Sequence, residues 1–221
     1  MRQDELFTTK SLLPGFLYET EFVDRAEETE LVRLIQSWPL EEARYREFTA
    51  RRRIVSFGAS YDFSSHELRV AGEIPPALHP LRSRMAGLMG VPPESIRHAL
   101  IAEYQPGSPL GWHRDVPEFD VVGGLSLHGQ ARMRLRPYPH RKGERTALKI
   151  ELMPRSAYVL RGPARWNWQH AISPTTELRY SITWRTLRAC TVFARGFGAG
   201  VAFAARRGFG GDSPSSTHVG A

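Results

Sequence analysis

From His98 to Leu187 turn residues cut the chain into short apolar segments, and this rhythm limits its possible folds more than any other feature. Ala99–Tyr104 stops at Gln105-Pro106-Gly107-Ser108-Pro109, and Val121–Leu127, Ala131–Arg136, Leu148–Leu152, Ala157–Leu160 and Arg179–Leu187 follow. Several alternate: Met133 and Leu135 fall on one face of an extended chain, Arg132, Arg134 and Arg136 on the other. Upstream the period changes. Asp24–Trp38 reads as a helix that Asp24 can cap, with acidic residues in its first turns and Leu31, Leu34 and Ile35 on one face. A second helix runs from about Pro76 to Met89, its start delayed by Pro80, and Gly90 ends it. Arg51, Arg52 and Arg53 precede a strand at Ile54–Phe57. The expected fold class is mainly β with flanking N-terminal helices (α+β), a β-sandwich or jelly roll with helices against one sheet.

The 221 residues, 41% of them hydrophobic, suffice for one core and exclude wholesale disorder. Residues 1–188 are expected to form one domain. The glycine-rich remainder, 189–221, reads as a mobile tail. No apolar run spans a membrane, the start lacks a signal-peptide core, and Cys190 is the lone cysteine. A cytoplasmic monomer is expected. The net charge of +7 suggests a nucleic-acid partner, but +3 of it lies from Arg188 onward, which leaves it weak ground for naming one.

The chemistry concentrates in a few residues. His113-Arg114-Asp115 places an imidazole and a carboxylate two apart, on one face of extended chain, and His170 follows 55 residues after Asp115. Two His and one carboxylate form the facial triad of non-haem iron sites, which leaves coordination positions open. Arg179 and Arg185, six apart, share a strand face opposite Tyr180, Ile182 and Trp184. Arginines aimed into a β-sandwich require an anion, and a small dicarboxylate meets that need bidentately.

In these residues the sequence resembles the AlkB-like family of Fe(II)/2-oxoglutarate dioxygenases. The likeness runs from about Arg52 to Arg188 through Tyr104-Gln105-Pro106-Gly107, His113-x-Asp115, Gly124-Leu125-Ser126-Leu127, Pro154-Arg155-Ser156, Gly162-x-x-Arg165, His170-x-Ile172 and Arg179-x-Ser181-x-Thr183-x-Arg185. The resemblance implies a double-stranded β-helix (jelly roll). It implies that His113, Asp115 and His170 hold Fe(II), and that Arg179 and Tyr104 bind 2-oxoglutarate, with Arg185 near its iron-side carboxylate. O2 is the second cosubstrate. The implied reaction hydroxylates N-alkyl groups of alkylated DNA or RNA bases and releases formaldehyde, as 2-oxoglutarate is decarboxylated to succinate.

Three positions depart from the family pattern. Ala102 and Ser181 stand where many members carry asparagine. Pro117 stands two residues after the metal aspartate, where base-repair members place an acidic residue; Glu118 is one step beyond. Substrate contact is expected from Arg52, Arg53, Tyr61, Arg165 and Trp168, with single-stranded nucleic acid as partner. The competing readings are the same chemistry on a protein side chain or small molecule, and a nucleic-acid-binding module with an inactive metal site. The intact triad and both arginines oppose the last.

Overall fold

A computed structural model describes residues 13–45, 48–62, 67–141 and 148–189. Twelve strands and three helices are present among them. The helix expected at Asp24–Trp38 is α1, Arg25–Gln36. Asp24 accepts from the Glu27 amide at 2.8 Å, and Leu31 and Ile35 are buried. The second expected helix splits. Pro76–Leu78 forms a 3-10 turn, and α2 runs His79–Met89, with Pro80 in its first turn, where its missing N–H costs nothing. Gly90 at φ 66° ends α2 in the left-handed conformation. A third helix, α3, is a single short stretch at Gly162–Trp166.

Eight strands form the larger sheet: β1 (Phe16–Glu19), β2 (Glu41–Tyr45), β3 (Phe48–Asp62), β4 (Glu67–Val70), β5 (Ile96–Tyr104), β7 (Phe119–Leu127), β10 (Ala157–Leu160) and β12 (Arg179–Leu187). Their order is β1-β10-β7-β12-β5-β3-β2, with β4 paired to β3. The smaller sheet is β6 (Leu110–His113), β11 (Trp168–Ile172), β8 (Ala131–Pro137) and β9 (Leu148–Leu152), in that order. Every pairing is antiparallel. This is the expected double-stranded β-helix.

The larger sheet has two differently employed faces. Its outer face carries Ala99, Ile101, Leu125, Leu127, Ile182 and Trp184 against Leu31 and Ile35 of α1 and Leu81, Met85 and Met89 of α2, in one buried cluster. Its inner face sends Phe16, Val122, Tyr158 and Leu160 into a second cluster with Met133, Leu135, Ile150, Leu152 and Ile172 of the smaller sheet. Burying each such side chain is worth roughly 1.5–3 kcal/mol.

Gly58 marks a change of partner within β3. Residues 52–58 pair with β5 and residues 59–62 with β4. At φ 78° the chain turns there, and a Cβ on Gly58 would lie 2.1 Å from the Arg97 carbonyl oxygen. Gly58→Ala is therefore expected to destabilise the protein by roughly 2–4 kcal/mol, through strain and steric conflict together. Urea unfolding of variant and wild type measures this. A loss below about 0.5 kcal/mol would show that the bend is not tightly constrained.

Candidate active site

The inner face of the larger sheet and the edge of the smaller one enclose a cavity of about 770 Å³. Alternation selects what points into it. From β12 come Arg179, Ser181, Thr183 and Arg185; from β5, His98, Leu100, Ala102 and Tyr104; from β3, Arg52, Ile54 and Ser56. His113, Asp115 and His170 line the same cavity.

The smaller sheet assembles the triad. His113 on β6 and His170 on β11 are direct cross-strand partners, and their ring centroids lie 4.2 Å apart. β6 ends at His113, so Asp115 arrives from the following loop rather than by strand alternation. Ligand atoms of all three residues lie within 4.8 Å of one another. The Asp115 Oδ2 atom is 3.8 Å from His170 Nε2. Nδ1 of His113 sits 2.9 Å from the Gly111 carbonyl, a contact that assigns its proton to Nδ1 and leaves Nε2 free to coordinate. Arg185 Nε donates to Asp115 Oδ1 at 2.6 Å, while Oδ2 is buried without a hydrogen-bond partner. A buried, unsatisfied carboxylate oxygen facing two imidazoles is what a divalent iron would complete.

Protonation favours the same use. Burial, with His113 nearby, pushes the His170 imidazole down to about 3, and burial also lowers His113. Burial opposes ionisation of Asp115, but the Arg185 guanidinium outweighs it and holds the carboxyl far below its usual range. Two neutral imidazoles and one carboxylate are the donor set the metal needs.

A second polar group forms at the deep end. Arg52, Tyr104 and Arg179 are cross-strand neighbours on β3, β5 and β12. All three are buried. Arg179 Nε donates to Ser126 Oγ at 3.0 Å, its guanidinium lies 4.9 Å from the Tyr104 ring centroid, and its NH1 is buried without a partner. Burial alone would raise the Tyr104 phenol, but Arg52 and Arg179 overcome it and lower the group below its ordinary value. Two guanidiniums and a phenol suit the distal carboxylate of a dicarboxylate acid. Arg52 reaches this end from the neighbouring strand as the cross-strand partner of Tyr104, and Ile54 is the partner of Ala102.

The remaining expected residues disperse. Tyr61 lines the cavity, as does Arg52. Arg53 points to the opposite face of the sheet and binds Glu103 through two hydrogen bonds at 2.9 and 2.8 Å, so the adjacent arginines do different things. Arg165 is buried and donates to the carbonyls of Asp115, Val116 and Phe119, which fixes the loop carrying the metal carboxylate. Trp168 packs against the inter-sheet core rather than into the cavity. His98, not among the residues expected from the sequence, also belongs to the site. It lines the cavity, stacks on Phe119 at 4.9 Å, and its Nδ1 lies 3.1 Å from Arg185 NH1. Its even spacing from Tyr104 on one strand was the available signal.

Three imidazoles kept neutral make stability pH-dependent. Burial pushes His98 well below its ordinary value, as it does His170, and lowers the half-buried His113. Below about pH 6.5 the unfolded chain binds protons at these positions that the folded chain refuses, so stability falls as pH falls. Asp115 acts with the same sign, but only below the ordinary carboxylate range. Metal-free protein is expected to lose roughly 2–3 kcal/mol of unfolding free energy between pH 7 and 5.5. Urea titrations at the two pH values check this, and a flat profile would show that the imidazoles protonate in place.

Comparison with known proteins agrees with this geometry. A family model described as the 2OG-Fe(II) oxygenase superfamily matches residues 11–187. An uncharacterized protein L905 of Acanthamoeba polyphaga mimivirus is 33% identical over 104 residues, covering 40% of this chain and 47% of the relative. An Arabidopsis thaliana protein named alkylated DNA repair protein ALKBH8 homolog is 26% identical over 182 residues, 72% of this chain and 51% of that one. The chain thus spans about half the length of these two curated relatives. Among solved structures, OsALKBH1 superposes with a TM-score of 0.64 at 16% identity, covering 78% of this chain and 96% of that chain. A Trichoplax adhaerens prolyl hydroxylase, bound to a peptide of hypoxia inducible factor, gives 0.54 at 18%, over 78% and 83%. At these identities both show the shared fold.

Proposed function

The chain belongs to the 2OG-Fe(II) oxygenase superfamily and is AlkB-like, and from that premise we propose that it oxidatively demethylates alkylated bases in DNA or RNA. His113, Asp115 and His170 would hold the iron, which with 2-oxoglutarate and O2 would supply C–H hydroxylation coupled to decarboxylation of 2-oxoglutarate to succinate. The side chains supply position and charge. Arg179, Arg52 and Tyr104 hold the distal carboxylate at the closed end. Arg185 holds Asp115 ionised and in place, and His98 accepts from Arg185 on its other side. Leu100, Val122 and Ile172 wall the cavity with hydrocarbon and limit water near the metal. Hydroxylation of an N-methyl carbon gives a hemiaminal, which breaks its C–N bond to release formaldehyde and the unmethylated nitrogen.

The observation that carries this reading is the lining of the cavity. Arg52, Tyr104 and Arg179 suit a small dicarboxylate, and Tyr61, Trp112 and Phe119 in the same wall offer aromatic surface to a planar ring within about 770 Å³. Glu118 acts electrostatically on Tyr61, so an acidic group stands near the cavity although Pro117 occupies the family's usual acidic position. A base must leave its stack to enter, which favours single-stranded or flipped substrates. The name of the Arabidopsis relative supports the same substrate class.

Purified protein with Fe(II), ascorbate and 2-oxoglutarate is expected to release formaldehyde from N-methylated single-stranded DNA or RNA, one per succinate formed. Methyl-lysine peptides serve as the contrast. Formaldehyde from the peptides alone would move the activity to protein side chains, the reading that Pro117 favours.

A further inference from the structure

The arginines of this protein fall into two populations. Away from the site, many are neutralised: Arg33 by Glu30, Arg53 by Glu103, Arg84 by Glu27, Arg132 by Glu151, and Arg155 by Glu21 and Glu28. Beside the triad Arg185 is held by Asp115, but four neighbouring arginines are not neutralised. Arg134 and Arg136 lie over the Trp112 ring at 5.0 and 4.3 Å, Arg114 lies over Tyr138 at 3.6 Å, and Arg188 lies over Trp166 at 5.2 Å. None of these four has a carboxylate partner among the described residues. Their remaining hydrogen bonds are to neutral groups, Arg114 to the Trp166 carbonyl at 3.0 Å and Arg136 to Gln169 Oε1 at 2.9 Å. Nε of Arg134 is buried with no partner. Tyr138 is 43% exposed and Arg188 is exposed.

The chain ties this patch to the metal. Trp112 and Arg114 are the residues on either side of His113, and both line the cavity. Trp166 lies four residues before His170. Arg134 and Arg136 reach Trp112 from β8, on the face of the smaller sheet opposite Met133 and Leu135.

We propose that this surface, Arg134, Arg136, Trp112, Arg114, Tyr138 and Arg188, is the track on which a single-stranded nucleic acid lies with one base turned into the cavity. Charge identifies a polyanion, because unpaired guanidiniums release counterions when phosphates replace them. The interleaved rings separate nucleic acid from an acidic peptide. Each guanidinium is preset over an aromatic ring, and the exposed Tyr138 ring, with the partly exposed Trp112 and Trp166, offers stacking that bases can use and glutamate side chains cannot. The inference rests on the proposed substrate class, but it concerns binding alone and is tested without chemistry.

Anisotropy of a fluorescein-labelled, unmethylated 15-nucleotide single strand, titrated with full-length protein from 50 to 200 mM KCl, reads the surface directly. R134E/R136E is expected to weaken binding at least tenfold and to flatten the plot of log affinity against log salt by about 1.4, two phosphate contacts at about 0.7 each. R33E/R84E, with the same change in net charge on another face, is expected to change affinity twofold or less. Melting temperatures confirm that both variants are folded. Equal loss in the two double variants, or an unchanged salt slope in R134E/R136E, would overturn the assignment. So would poly-glutamate that competes as well as the oligonucleotide at equal charge. Site-specific loss of binding without formaldehyde release from methylated strands would uphold the track and sink the demethylase reading. Formaldehyde release that R134E/R136E leaves unaltered would do the reverse.

Discussion

His113→Ala is expected to reduce iron-dependent turnover on the order of 1000-fold or more, while the protein remains folded. The imidazole is one of the three proposed ligands and half-buried, and its side-chain hydrogen bond is to the Gly111 carbonyl. Its loss removes a coordination bond and little else. A 1000-fold effect corresponds to about 4 kcal/mol, which loss of one ligand from a three-residue site readily exceeds. Asp115→Ala is expected to be equally inactive but less stable. It strands Arg185 beside His98 without a counter-charge, and breaking a buried ion pair costs roughly 3–5 kcal/mol. The two variants therefore separate metal binding from folding. Iron per chain by emission spectroscopy, succinate formed per minute, and urea unfolding of the metal-free proteins are the three readouts. If His113→Ala retains iron and turnover, the triad is not the metal site.

The same triad shows what a sequence can and cannot disclose. His113, Asp115 and His170 are legible because their chemistry is rare and their order is fixed. The strands carrying the two histidines are not, since Leu110–His113 contains a glycine next to a proline-bounded turn and Trp168–Ile172 shows no clean alternation. They become strands by pairing with each other, and β11 with β8 as well, a long-range term that local propensity does not contain. Arg52 and Arg53 show the limit more sharply. Adjacent residues on a strand face opposite ways, and which one enters the cavity depends on the register of β3 against β5. Register likewise joins His98 to Arg185, 87 residues away, as direct partners across β5 and β12. By contrast, α1, α2 and the longer strands β5, β7, β8 and β12 are local: caps, prolines and period-two runs specify them within a few residues.

Arg179→Met tests the other half of the site, and its two expected effects have opposite signs. Affinity for 2-oxoglutarate is expected to fall between about 30-fold and a few thousand-fold, because truncating one partner of a buried charge pair costs roughly 2–5 kcal/mol. Stability of the cosubstrate-free protein is expected to hold or rise. In that state Arg179 is fully buried beside Arg52, its NH1 lacks a partner, and only Ser126 and the Tyr104 ring compensate it. An apolar side chain of similar length relieves that desolvation. Arg179→Lys keeps the charge but loses the planar fork, and it is expected to fall between the two. Some affinity should survive in both variants, since Arg52 and Tyr104 would still face the carboxylate; Arg52→Met in the Arg179→Met background should remove it. Calorimetric titration of 2-oxoglutarate into protein loaded with Mn(II) measures affinity apart from turnover, and melting temperatures without cosubstrate measure stability. Unchanged affinity in Arg179→Met would remove the cosubstrate from this end of the cavity. A fall in stability without a fall in affinity would make Arg179 a structural residue, held by Ser126 and Tyr104 rather than awaiting an anion.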